Sequence, residues 1–176
     1  FEQCIDSLTN SGIQINRIKA SIISDAMSLS SLVFSPEAYG TWKNIIEKNP
    51  GKMHPPVLER FRSGQKISGP DYVRAWQNLE DLRRKYIKLV SEFDAILAPT
   101  TAILPPRIDR LLNDKSYFSE QNLLALRNTR VANLMGIPSL TIPTNTNFCG
   151  FMIMGKPFQE KSLLNLGKNL EQILTN

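Results

Sequence analysis

Histidine occurs once in this 176-residue chain, cysteine twice, and no two of the nine glycines are adjacent. The lone His54 and the distant Cys4 and Cys149 form no C-x-x-C and no His/Cys cluster, so zinc ribbons, metal centres and disulfide frameworks are excluded and no cofactor is expected. Without a glycine-rich tract there is no loop of the kind that cradles phosphates or receives an oxyanion. No apolar run approaches the ~20 residues of a membrane span. No Asn-x-Ser/Thr triplet occurs either. These absences lead us to expect a soluble cytoplasmic protein with reduced thiols and no membrane partner.

What is present is ordinary globular composition, 41% hydrophobic and 21% charged. One core over residues 1–176 is the expectation. The 21 basic and 16 acidic residues leave a net charge of +5. Nucleic-acid binding would need that charge gathered on one face. The densest cluster, Arg83-Arg84-Lys85 with Lys88, instead alternates with apolar helix positions and reads as a solvated face, so a nucleic-acid partner ranks last.

Phe1, Ile5 and Leu8 predict a helix at the very start, stopped by the Thr9–Gly12 cluster, and Ile13, Ile15 and Ile18 predict a short strand. A chain that opens on Phe1 inside a helix suggests an excised piece. Residues 24–48 pattern as helix with a break expected at Ser35-Pro36. Pro55-Pro56 opens a short helix to Arg62, and Ser68-Gly69-Pro70-Asp71 opens what the periodicity of Trp76, Leu79, Leu82, Tyr86, Leu89 and Phe93 makes the longest helix.

Residues 94–98 form a compact apolar run ended by Pro99, a buried strand. A long loop is expected from Thr100 to Ser119, then one helix over residues 120–135 stopped by Gly136 and Pro138. Strands follow at 139–142 and 149–154, and a leucine-rich helix closes the chain. The six-residue link at most between those strands is too short for a parallel crossover, so they should pair antiparallel, in one sheet with the 94–98 strand. The fold class is α/β, a mixed sheet fragment covered by helices.

The weightiest candidate site is Pro99-Thr100-Thr101. In open α/β sheets, ligands collect outside the carboxyl ends of strands, where hydroxyls and freed backbone groups converge. Ser30-Ser31 is the only Ser-Ser pair, but it sits in a helical pattern without flanking glycines and reads as structural. Cys149 with His54 could be drawn as nucleophile and base, yet nothing orients them, and a strand cysteine is better read as a small apolar residue.

Three successive elements carry a resemblance. Asp94, Ile96, Leu97, Pro99 and Thr100 match D-x-L-L-x-P-T; Thr129, Ala132, Asn133, Gly136, Pro138 and Pro143 match T-x-x-A-N-x-x-G-x-P-x-x-x-x-P; Gly150 and Gly155, with Pro157 and Leu163-Leu164, match the closing segment. In order and spacing this resembles the C-terminal portion of amidase-signature hydrolases, well over residues 94–174 and more loosely before, at Glu37-Ala38, Gly64 and Asp71-Tyr72. Met152 departs from a frequent Gln, and Val131 from a frequent Pro.

The resemblance implies amide-bond hydrolysis by a Ser nucleophile linked through a second Ser, in a cis peptide, to a Lys base, beside a glycine-rich oxyanion loop. No residue of this chain can be assigned any of these catalytic roles. It implies Thr100, Thr101 and Asn133 as substrate-crevice walls, and as partner the missing N-terminal half or a homologous subunit. By itself the chain should be inactive and self-associate, binding a small amide only in the complete enzyme. The rival reading is a non-enzymatic assembly module built on the same half-fold.

Overall fold

In the computed structural model, which describes residues 1–175, the apolar spacing of the first residues becomes helix α1 over Glu2–Asn10, with Ile5 and Leu8 buried. Gly12 adopts φ 87 directly after the helix, and its N–H donates to the Thr9 carbonyl. That left-handed stop costs glycine nothing. Two compact units follow from the chain's internal packing: unit 1 joins residues 1–20 to the chain from Ile87 onward, and unit 2 is Ser21–Tyr86.

Unit 1 is built on three strands, β1 (Ile96–Pro99), β2 (Ser139–Pro143) and β3 (Gly150–Met154), in the order β1-β3-β2. Both pairings are antiparallel, with Leu97 and Leu140 each opposite Ile153. The predicted single sheet and its antiparallel pair are therefore present. Residues 151 and 153 of β3 face one side, where helix α8 (Glu160–Thr175) buries Leu163, Leu170 and Leu174 against them. Helix α1 adds Ile5 and Leu8 to the same cluster, and Phe1 stacks on Phe151 with ring centroids 5.2 Å apart. Each such buried aliphatic or aromatic side chain contributes about 1.5–3 kcal/mol.

The Ile13–Ile18 stretch is irregular instead of forming the expected strand. Ile13 and Ile15 still pack on the cluster. Alternation thus supplied a buried face, but a strand also needs a backbone partner, and the three-stranded ladder takes none from this segment. The long loop expected to Ser119 is also shorter: α5 (Ile108–Asn113) and α6 (Lys115–Ala125) occupy much of it. Asp114 caps α6 by accepting from the Tyr117 N–H at 2.9 Å. The helix expected over 120–135 is divided, with α7 beginning separately at Thr129 and ending at Met135. Gly136 terminates it at φ 66, as its position suggested.

Unit 2 is helical. α2 (Ser21–Ile46) runs 26 residues straight through Pro36, so it, and not the 21-residue α4 (Gly69–Leu89), is the longest helix. Pro36 removes one donor, a local loss, and side chains stay buried on both sides of it, Val33 before and Tyr39 after, about 120° apart around the helix axis. The 3-10 turn after α3 (Pro55–Ser63) presses Gly64 onto the backbone of that same turn of α2: a Cβ on Gly64 would lie 2.1 Å from the Ser35 carbonyl oxygen. Arg62 donates twice to the Glu47 carboxylate, at 2.9 and 2.6 Å, and Tyr39 donates to it at 3.1 Å. The Arg62 bonds hold the Glu47 carboxyl below its usual range. Ser68 opens α4 by accepting from the Asp71 N–H at 3.1 Å. Among the described residues, no helix is long and apolar enough to cross a membrane.

Two glycines separate rigid from yielding contacts. Gly64→Ala should lose about 1–3 kcal/mol, because backbone must move. Gly167→Ala meets only the tip of Leu140, at 2.3 Å, and should lose less, since that side chain can turn and alanine favours the helix by about 1 kcal/mol. Urea titrations of both variants check the order. A second expectation concerns Tyr86, 1% exposed with a hydroxyl that has no partner among the described residues. Burial pushes its pKa up to about 12. The unfolded phenol ionises near 10, so this contribution is complete below about pH 10 and is lost as pH rises toward 12, on the order of 2 kcal/mol. Tyr86→Phe should remove that alkaline loss and raise stability at neutral pH, read from melting curves across pH 7–12.

Candidate functional site

β1 and β2 are both antiparallel to β3, so they run the same way and their carboxyl ends meet the amino end of β3. Pro99 pairs with Phe151 there, and Pro143 with Gly150. The ladder extends one bond further, from the Thr100 N–H to the Gly150 carbonyl at 3.0 Å. This sheet end is the place where the chain's own hydroxyls gather.

Strand alternation decides which side chains share a face. Phe151, Ile153, Leu140 and Ile142 join the helix-covered cluster, which leaves Thr100, Thr141, Ala98, Met152 and the missing side chain of Gly150 for the opposite face. Thr100 Oγ1 donates to Thr141 Oγ1 at 3.2 Å. A Cβ on Gly150 would lie 2.6 Å from Thr100 Oγ1 and 2.8 Å from Thr141 Cγ2. Glycine at 150 is therefore what lets the two threonines approach each other across β3. Met152, opposite both Ala98 and Thr141, is 1% exposed and makes the floor beside them apolar.

The other two predicted wall residues sit differently. Thr101 is exposed, and its hydroxyl is engaged locally with the Ile103 carbonyl at 3.0 Å. Asn133 is exposed on α7 and donates back to the Thr129 carbonyl of its own helix at 3.5 Å. Of the three, Thr100 is the one whose hydrogen bond reaches another strand.

Two residues of this end escaped the sequence reading. Thr141 could have been found from the alternation of Ser139 and Thr141 with Leu140 and Ile142, but its meeting with Thr100 depends on a strand register. Asn128, just before α7, leaves that helix uncapped and donates instead to the Pro99 carbonyl at 2.8 Å. It ties the start of α7 to the exit of β1. Farther along the loop, Arg107 pairs with Asp109, and its hydrogen bonds hold that carboxyl below its ordinary range.

Chemically, the paired hydroxyls can donate to or accept from an amide group. Thr100 Oγ1 has a second hydroxyl as its partner, and a hydroxyl is too weak a base to activate a nucleophile at neutral pH. Ser30 and Ser31 lie inside α2 and His54 is exposed at the start of α3. Cys149 is half-buried one residue before β3. No three His, Cys, Asp or Glu side chains among the described residues come together as a metal site.

Comparison with known proteins adds the wider context. The family model described as Amidase matches residues 1–164. One subunit of the glutamyl-tRNA(Gln) amidotransferase of Sulfolobus acidocaldarius is 24% identical over 98% of this chain and 41% of its own length. The 2-amino-5-chloromuconic acid deaminase of Comamonas testosteroni is 28% identical over 70% of this chain and 27% of its own. Among solved structures, Kluyveromyces lactis allophanate hydrolase superposes with a TM-score of 0.84 at 17% identity, over 98% of this chain and 29% of that one. The chain thus spans less than half the length of each of these proteins.

The bond from Asn128 to Pro99 is testable without substrate. Asn128→Ala should lower stability by about 1 kcal/mol, the net value of one such bond, and Thr141→Val by a similar or smaller amount. Denaturant midpoints measured at constant m-value check both.

Proposed function

The chain belongs to the amidase family, and from that premise we propose that it is the C-terminal part of one amidase-signature domain of a cytoplasmic amide-bond hydrolase. The observation that carries the proposal is the hydroxyl pair of Thr100 and Thr141, brought together over Gly150 at the carboxyl ends of two strands. In this reading Thr100, with Thr101 and Asn133 nearby in the family pattern, walls the crevice that receives a small amide. The nucleophile, in a Ser-Ser-Lys arrangement, comes from the N-terminal half of the same enzyme or from a homologous subunit.

Residues 1–176 alone are then inert. Pocket walls without an activated nucleophile cannot supply the ~8 kcal/mol or more of barrier lowering typical of enzymes. Exposed Ile108 and Leu112, one helical turn apart on α5 and 73% and 79% exposed, give the isolated chain an apolar stripe through which it self-associates.

The experiment is ammonia release from simple primary amides, with the chain alone and with the N-terminal half supplied in one polypeptide or as a separate one. The chain alone should show no turnover, and the pair should show turnover that disappears when the nucleophilic serine of the added half becomes alanine. Thr100→Val in the active pair should lower kcat/KM roughly tenfold, the loss of about one hydrogen bond to bound substrate. A pair that assembles but hydrolyses nothing would favour the non-enzymatic assembly module instead.

A further inference from the structure

Two phenylalanines of unit 1 have left-handed backbone, Phe148 at φ 62 and Phe158 at φ 60. In that region the Cβ of an L-residue crowds the following carbonyl, and bulky side chains are rare there. Both side chains are also open to solvent, 79% exposed at Phe148 and 94% at Phe158. Nothing among the described residues buries either ring, and backbone preference does not favour an aromatic residue at either position.

The two differ in place. Phe148 lies in the link between β2 and β3, two residues before Gly150, so the two Cα atoms are within about 7 Å. It therefore belongs to the sheet end where Thr100 and Thr141 meet. Phe158 follows the opposite end of β3, which rises about 14 Å from Gly150 to Met154. The Phe148 link is also tied down: Thr144 Oγ1 donates to the Cys149 carbonyl at 2.9 Å, and the Cys149 N–H donates to the Thr146 carbonyl at 3.2 Å. A strained, solvent-facing ring on a fastened turn is the kind of local conflict that functional positions retain.

We infer that Phe148 is a specificity-determining residue of the crevice, its ring receiving the apolar acyl group of an amide whose polar end lies at Thr100 and Thr141; this rests on the hydrolase reading above. Hydroxyls on one side and an aromatic face on the other select amides with aryl or branched alkyl acyl groups over the smallest ones. Phe158 has the same backbone and more exposure at the wrong end of the sheet, which makes it the matched control.

The test uses the whole polypeptide that carries this chain, as wild type, Phe148→Gly and Phe158→Gly, with acetamide and phenylacetamide. Glycine suits both backbones, so both variants should keep or raise the melting temperature. Phe148→Gly should lower the phenylacetamide-to-acetamide ratio of kcat/KM about tenfold or more, chiefly through KM for phenylacetamide, and Phe158→Gly should leave it unchanged. An unchanged ratio in Phe148→Gly, or an equal fall in Phe158→Gly, overturns the assignment. If Phe148→Gly does not fold, Phe148→Asn, which also tolerates this backbone, is measured in its place. If no form turns over either amide, the hydrolase reading fails, and calorimetric affinity for phenylacetamide decides the matter. Binding weakened only by the change at 148 supports the role of Phe148, and binding that is absent or unaltered refutes it.

Discussion

The pairing of β3 with both of its neighbours is the constraint on which unit 1 rests. Phe151, Met152, Ile153 and Met154 are between 0% and 3% exposed, so both faces of the strand are covered while both of its edges are hydrogen-bonded. A one-residue slip would turn Phe151 and Ile153 away from α8 and push Met152 into the helix-packed face. The same register brings Thr100 and Thr141 to either side of Gly150. Core and candidate site are therefore fixed by one set of backbone bonds, and neither can shift without the other.

Much of this was legible because strands and final helix carry strong local signals. The run at 96–99 is apolar, that at 139–143 alternates polar with apolar, both end on prolines, and the leucines of α8 keep a helical period, so each element announces itself without reference to its neighbours. The exceptions are instructive. Ile13, Ile15 and Ile18 alternate like a strand, yet pairing is a property of two segments, and nothing in one segment declares the lack of a partner. Pro36 marked a break that did not occur, since one missing donor leaves the rest of the helix bonded and side chains are buried on either side of it, at Val33 and Tyr39. Asp114 capping α6 turned an expected loop into helix, a local signal that was present and passed over.

The candidate site divides in the same way. Thr100 was visible as the exit of a buried strand. Its partner lies 41 residues away, and the bond between them follows from the β1-β3-β2 order, which no local pattern encodes. Asn128 fell inside the single helix expected over 120–135, and its side chain instead holds the carbonyl of a residue 29 positions earlier. Asn133 was placed by family pattern, and its side chain is engaged within its own helix.

The position of β3 in the sequence also sets a timetable. β1 and β2 do not pair with each other, and the strand that joins them is the last of the three to be synthesised, while α1 must wait for α8, at the far end of the chain, before its apolar face is covered. Ser21–Tyr86, by contrast, can pack from contacts within its own 66 residues as soon as they have left the ribosome. A nascent chain therefore passes through a stage with its helical unit formed and two strands waiting. During that interval the backbone edges of β1 and β2 that β3 later pairs are open.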